Sequence, residues 1–323
     1  MILVIALNPA LDVTHHVAGI DWGGVNRPAL AHARAGGKGL NVARTLRAIG
    51  AEVQVMGFAG GITGEEMRSG LRELGVPTAF TGISGETRRT FAVVDTVRGD
   101  ATLFNEPGPR VRPDEYAKFS VMYERALAGC AAVVLSGSLP PGLSLDTYAE
   151  LGAMAAAAGV PALLDAHGEA LLRGVAARPA IVKPNLAELE ALAGRSLSAG
   201  RGADKDAVAL AARELQADGA QAVVVTLGAD GLWAATDDGG WLAVPPAEVR
   251  GNPIGAGDAV AAGLVHGLVL GRPWQERLRH AVALGIASAT APVAGEFSQA
   301  DYAAVLAGVT VNRSEGDGCP RRT

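Results

Sequence analysis

Cysteine is almost missing from this chain: its 323 residues include two, Cys130 and Cys319, far apart. Two distant thiols build neither a disulfide framework nor a thiolate zinc site, so the cytosol is the expected compartment. Cys130 precedes an apolar run and is expected to be buried. Surplus positive charge is missing too. The formal net charge is -5, which argues against a nucleic-acid partner. Long apolar runs are also lacking. The stretch 259–270 carries His266 and stops at Gly271-Arg272-Pro273, too short to span a bilayer, so no membrane partner is expected. The opening MILVIALNPALD is apolar without a basic leader and reads as a buried strand, not a signal peptide. The six histidines do not fall at metal-ligand spacing. Familiar nucleotide signatures are absent as well. There is no G-x-x-x-x-G-K-[ST], no G-x-G-x-x-G opening a first βαβ unit and no H-R-D loop.

What is present is an alternation of short β-rich runs with Ala/Leu-rich helical stretches. Strands are expected at 1–7, 52–58, 131–136, 161–165, 180–183 and 221–226. Helices are expected at 39–50, 65–74, 145–158, 186–193, 206–218 and onward from Asp258. Such a rhythm implies a mostly parallel sheet with helices on both faces. Two regions, about 12–34 and 87–104, break it with β-formers and polar residues. They are read as a small second sheet covering a site. The polar tail 312–323 is expected to be disordered, which leaves one domain over 1–311.

Two glycine clusters open helices. In GNPIGAGDAV, residues Gly255, Ala256 and Gly257 would expose free backbone N–H groups to an anion at a helix N-terminus. Asp258 follows at once. It could cap the helix. It could also take a proton from an alcohol while those N–H groups hold a migrating phosphoryl group, the pairing that phosphoryl transfer requires. The earlier cluster, AGGKGLNVAR, places Lys38 and Asn41 beside Gly36, Gly37 and Gly39. Two such helix starts in one α/β chain suit a two-ligand site.

GGKGLNVARTLRAIGA and NPIGAGDAVAAGL resemble the two signatures of the PfkB (ribokinase-like) carbohydrate kinases. Asn8-Pro9-Ala10-Leu11-Asp12, the GSLPPG run 137–142, VKPNLAEL at 182–189 and TLGADG at 226–231 resemble further family blocks in family order. The first and second of these resemble the branch that acts on phosphorylated ketohexoses, the 1-phosphofructokinases and tagatose-6-phosphate kinases among them. The resemblance implies a ribokinase-like three-layer α/β/α sandwich with a mostly parallel central sheet and a small β-sheet lid, through which a homodimer would form. It implies ATP and Mg²⁺ as cofactors and a sugar phosphate as acceptor. Fructose 1-phosphate leads, with tagatose 6-phosphate and fructose 6-phosphate as alternatives. A non-catalytic sensor on the same fold is the alternative of a different class.

By this resemblance Asp258 is the base, and Gly255, Ala256 and Gly257 form the anion hole. Asp12, Gly37, Lys38, Asn41, Arg88, Ser138 and Arg27 would bind the acceptor, with Arg89 able to replace Arg88. Lys183, Asn185, Thr226, Gly228 and Gly231 would line the nucleotide. Asn185 and Glu188 form an N-x-x-E that would meet Mg²⁺ through water. Its other reading is a helix start with an acid in the first turn. Asn252-Pro253 and Asp165-Ala166-His167-Gly168 depart from the usual family pattern.

Overall fold

The N-terminal run forms strand β1 (Ile2–Ala6), buried on both faces. Ile2, Val4 and Ala6 point into one core, and Leu3 and Ile5 into another. Successive side chains leave a strand on opposite sides, so a strand apolar at every position must lie between two layers. The computed structural model describes residues 1–199, 202–246, 255–291 and 295–314. Asn252, Pro253 and Cys319 lie outside the described residues.

Seven adjacent strands of the large sheet run parallel, out to the edge at β5: β1, β4 (Val53–Ala59), β5 (Thr78–Gly82), β8 (Ala132–Ser136), β9 (Ala162–Asp165), β10 (Ile181–Val182) and β13 (Val223–Thr226). Beyond β13 an antiparallel edge follows, β14 (Leu232–Thr236), β15 (Gly239–Val244) and β16 (Thr310–Arg313). The order is β16-β15-β14-β13-β10-β9-β8-β1-β4-β5. From β1 the chain moves to β4 and β5 on one side, then to β8 on the other. Ligands of open α/β sheets bind at such a reversal, beyond the carboxyl ends of the strands. Residues 312 and 313, the first of the tail expected at 312–323, belong to β16; from 315 on that tail lies outside the described residues.

One core faces α1 (Lys38–Ala48), α2 (Gly61–Glu73), α8 (Ala256–Val269), α9 (Trp274–Thr290) and α10 (Gln299–Gly308). The other faces α3 (Pro113–Leu127), α4 (Thr147–Ala157), α5 (Gly168–Val175), α6 (Leu186–Ala193) and α7 (Lys205–Ala217). The three-layer sandwich is therefore present. Helix α8 is apolar nearly all round and packs closely on α9. A β-carbon on Gly263 would fall 2.8 Å from Ala281 Cα, so only glycine allows this approach. The packing fixes the depth of the α8 N-terminus and hence of Asp258.

The irregular regions form a second, four-stranded sheet in the order β3-β2-β6-β7, from β2 (Ala10–Val17), β3 (Leu30–Gly36), β6 (Arg88–Asp95) and β7 (Asp100–Asn105). It is mixed, since β2 and β6 run parallel. Its connections converge on Asp95, 1% exposed, whose carboxylate accepts from the backbone N–H groups of Gly19, Ile20, Val97 and Arg98 at 2.9–3.2 Å. A minor hairpin pairs β11 (Ser198–Ala199) with β12 (Gly202–Ala203). Cys130 is half-buried, not buried; it sits on the turn after α3 with its thiol against Ala126 O.

Candidate active site

A cleft of about 1880 Å³ opens beyond the carboxyl ends of β1, β8, β10 and β13 and beneath the small sheet. Its polar end carries Asp12, Arg34, Lys38, Asn41, Arg88 and Ser138. Its apolar end carries Leu227, Leu232, Pro245, Val282, Ile286 and Ala289. Asp258 lies between them: it is bonded to Asn41 of the polar end, and its helix packs on α9, which supplies three residues of the apolar end.

Gly255 precedes α8 with φ 86°, a left-handed conformation that glycine adopts without strain. The turn aims the first N–H groups of the helix at the cleft, where Ala256 and Gly257 follow. Asp258 is 6% exposed. Asn41 Nδ2 donates to its Oδ2 at 2.8 Å. Burial and the neighbouring Asp165 push its carboxyl up to about 7, against the pull of Asn41, Lys38 and Lys183. No side-chain cap is made at this helix start, so the capping role is not the one Asp258 performs.

Asp165, at the end of β9, is fully buried and binds two ammonium groups through one oxygen: Lys38 Nζ at 3.1 Å and Lys183 Nζ at 3.2 Å. Burial alone would protonate it. The two lysines outweigh burial and hold its pKa below the usual aspartate value. Lys38 also lies 3.5 Å from Glu188 Oε1. Burial lowers its pKa, but Asp165, Glu188 and Asp258 together hold it above the ordinary lysine value. Lys38 is thus tied to carboxylates at the centre of the cleft. Asn185 and Glu188 form a capping box at the start of α6. Glu188 N donates to Asn185 Oδ1 at 2.7 Å, and Asn185 N to Glu188 Oε2 at 2.9 Å.

At the polar end Asp12 stands opposite Arg34 and Thr90 in the small sheet. Burial raises its pKa against the lowering pull of Arg34 and Arg88 and a hydrogen bond from Gly37 N–H. A β-carbon on Gly36 would lie 1.9 Å from Asp12 Oδ2, so glycine makes the room for this carboxylate. Strand alternation separates Arg88 from Arg89. Arg88 lines the cleft, with Nε on Asn8 O at 3.1 Å and Nη1 on Glu106 O at 3.0 Å; Arg89 is exposed on the opposite face. Asn8 Nδ2 also donates to Ser138 Oγ at 3.0 Å. Arg27 is exposed, in the connection between β2 and β3, and is not among the cleft residues. Thr226, Gly228 and Gly231 line the far end together with Asn185.

Four residues at the site were not expected as parts of it: Asn8, Arg34, Arg44 and Asp165. Arg44 has a local signal. Lys38, Asn41 and Arg44 recur every three residues, which puts them on one face of α1. Asp165 has one as well, a single acid closing the apolar run 161–165 at a strand end. His167, in one of the family departures, is exposed at the cleft margin.

Residues 6–300 match the pfkB family carbohydrate kinases. A 1-phosphofructokinase from Rhodobacter capsulatus is 38% identical over 286 residues, 88% of this chain and 89% of its own. One from Bacillus subtilis (strain 168) is 34% identical over 301 residues, 93% and 96% of the two chains. The tetrameric inhibited form of phosphofructokinase-2 from Escherichia coli superposes with a TM-score of 0.87 at 31% identity, over 95% of this chain and 98% of that one. The fold is therefore ribokinase-like, and the chain belongs to the pfkB family of carbohydrate kinases.

Proposed function

We propose that this protein is an ATP-dependent 1-phosphofructokinase, moving the γ-phosphoryl group of ATP to the free primary hydroxyl of fructose 1-phosphate. The observation that carries the reading is Asp258: a buried carboxylate, its pKa raised to about 7, in the first turn of α8 and between a cationic and an apolar pocket. A base whose pKa lies near the working pH balances ionisation against proton affinity. The likeness to two 1-phosphofructokinases supports the choice of acceptor.

In this reading the sugar lies under the small sheet. Asp12 and Ser138 would take its hydroxyls, and Arg88 its phosphate. The adenine would occupy the apolar end, past Thr226, Gly228 and Gly231. Lys183 would face the nucleotide phosphates. Asp258 takes the hydroxyl proton as the oxygen attacks phosphorus, and the N–H groups of Gly255, Ala256 and Gly257 receive the growing charge. The small sheet keeps water from competing as acceptor.

Among the described residues no group of three or more His, Cys, Asp or Glu converges on a metal position. The sparse oxygens of Asn185 and Glu188 suit Mg²⁺ that enters with the nucleotide and keeps its waters. When bound there it would neutralise phosphate charge. We assign the dimer contact to the small sheet, which leaves Trp22, Leu30, Leu103 and Phe104 exposed on its strands and connections. The enzyme would work in the cytoplasm; among the described residues no helix is long and apolar enough to cross a membrane.

ADP release with Mg·ATP, measured against fructose 1-phosphate, fructose 6-phosphate, tagatose 6-phosphate, fructose and ribose, tests the assignment. Fructose 1-phosphate should be the best acceptor by kcat/KM. A higher value for another ketohexose phosphate would reassign the substrate. ATP binding with no turnover on any acceptor would favour the sensor.

A further inference from the structure

Helix α1 does more than supply cleft residues. Behind Asn41 stands Arg44, 6% exposed and outside the cleft lining. Its Nη1 donates to Asn41 Oδ1 at 3.0 Å and its Nη2 to Ala35 O at 2.7 Å. Asn41 in turn donates from Nδ2 to Asp258 Oδ2. A guanidinium has only donors. The amide end facing it must therefore be the oxygen, which leaves the nitrogen for Asp258. Without Arg44 the amide could turn its oxygen to the protonated Asp258 carboxyl and accept its O–H, which would hold the proton on the base.

We propose that Arg44 is a positioning residue for the phosphoryl-transfer step. It locks the flip of Asn41, so that the base is met by a donor and stays both oriented and ionisable. The inference rests on the reading of Asp258 as the base. The groups facing Asp258 are Lys38 from α1, Asp165 from β9 and Lys183 after β10. Those facing Arg44 are Arg34 from β3, Asp12 from β2 and Glu296 ahead of α10. Burial and Arg34 pull Arg44 down to about 10, so it keeps its charge at neutral pH.

The test is a double-mutant cycle in the full chain with Arg44→Met, Asn41→Ala and the pair, followed by kcat and by kcat/KM against pH. Arg44→Met should lower kcat about tenfold to a hundredfold, with KM for Mg·ATP unchanged. The acid limb of its profile should move up by about one unit, because the carboxylate loses a donor. The pair should lose no more than Asn41→Ala alone, since Arg44 acts through Asn41. Additive losses, or an acid limb that stays in place, would overturn the proposal. If Arg44→Met fails to bind Mg·ATP or to melt cooperatively, Arg44→Lys decides. It keeps the buried charge but loses the two-pronged grip, so its acid limb should move in the same direction, and an unmoved limb again refutes the role. Asp258→Asn is measured alongside. If that variant turns over, the base assignment fails. If it is inactive while the Arg44 variants behave additively, only the positioning role fails.

Discussion

The two ends of the cleft are built on different principles. The polar end draws its charged side chains from α1 and the small sheet, and Lys38, Asp12 and Arg88 among them are bonded to other parts of the protein. Among the described residues the apolar end contains no such network: backbone turns at Gly228 and Gly231 and small or aliphatic residues of α9 form a slot. A side-chain network discriminates by chemistry, because an acceptor lacking one group leaves a buried charge unpaired. A slot of backbone and alkyl groups discriminates by shape. In the proposed reading the difference would put selectivity for the sugar phosphate at one end and tolerant nucleotide binding at the other, with Asp258 serving both.

The comparison breaks most severely at its centre. Asp258→Asn should lower kcat by roughly a thousandfold or more while Mg·ATP still binds, which isothermal titration can check. At the polar end, Arg88→Ala should raise KM for the acceptor by about ten- to a hundredfold and leave KM for Mg·ATP alone. Arg89→Ala, on the other face, should do neither. At the apolar end the expectation reverses: Ala289→Phe should raise KM for Mg·ATP by roughly tenfold and spare the acceptor. Steady-state kinetics with each substrate varied in turn separates the two patterns. A variant that moves both constants equally would show that the ends do not work independently.

The smaller effects depend on pH. Because the Asp258 carboxyl titrates at about 7, kcat/KM should climb as pH rises through that value and level off above it. Stability should run the other way. In the unfolded chain this carboxyl ionises at its ordinary, lower value. Between that value and about 7 the folded state holds more protons, so rising pH destabilises it. Asp258→Asn should therefore melt a few degrees higher than the parent at pH 8, with the gain fading as pH falls through about 7 toward the ordinary aspartate value. A Tm difference independent of pH would contradict the assignment.

Much of this fold was legible because its signals are local. β1 reads as a doubly buried strand from seven apolar residues, and α6 runs from Leu186 to Ala193 as expected, because the Asn185–Glu188 box starts it from within. Helix α2 was placed too late, at 65. It begins at Gly61 because Glu86, far along the chain, accepts from Thr63 N at 2.6 Å. No window around residue 61 contains that acid. The site divides in the same way. Lys38, Asn41 and Asp258 stand in glycine-rich turns that announce themselves. Arg34 owes its place to strand register, whereas Arg44 and Asp165 carry local signals, a three-residue spacing and an acid at a strand end, that do not name the groups they bond. Arg27 shares its residue type with Arg88 but not its position in a strand that faces the cleft.

The position of β1 and β16 in the large sheet has a consequence for synthesis. Of the sheet's strands β1, which lies inside it with β4 and β5 beyond, is made first, whereas β16 closes the far edge and is made last. In the proposed reading, residues 12, 38 and 88 of the acceptor pocket are synthesised long before Asp258, the base. A chain that has emerged only through β13 would carry the first and lack the second, with β13 as an open, apolar sheet edge. An exposed strand edge of that kind is what aggregation and chaperones act on, so the interval before β14 to β16 emerge is the vulnerable one in synthesis.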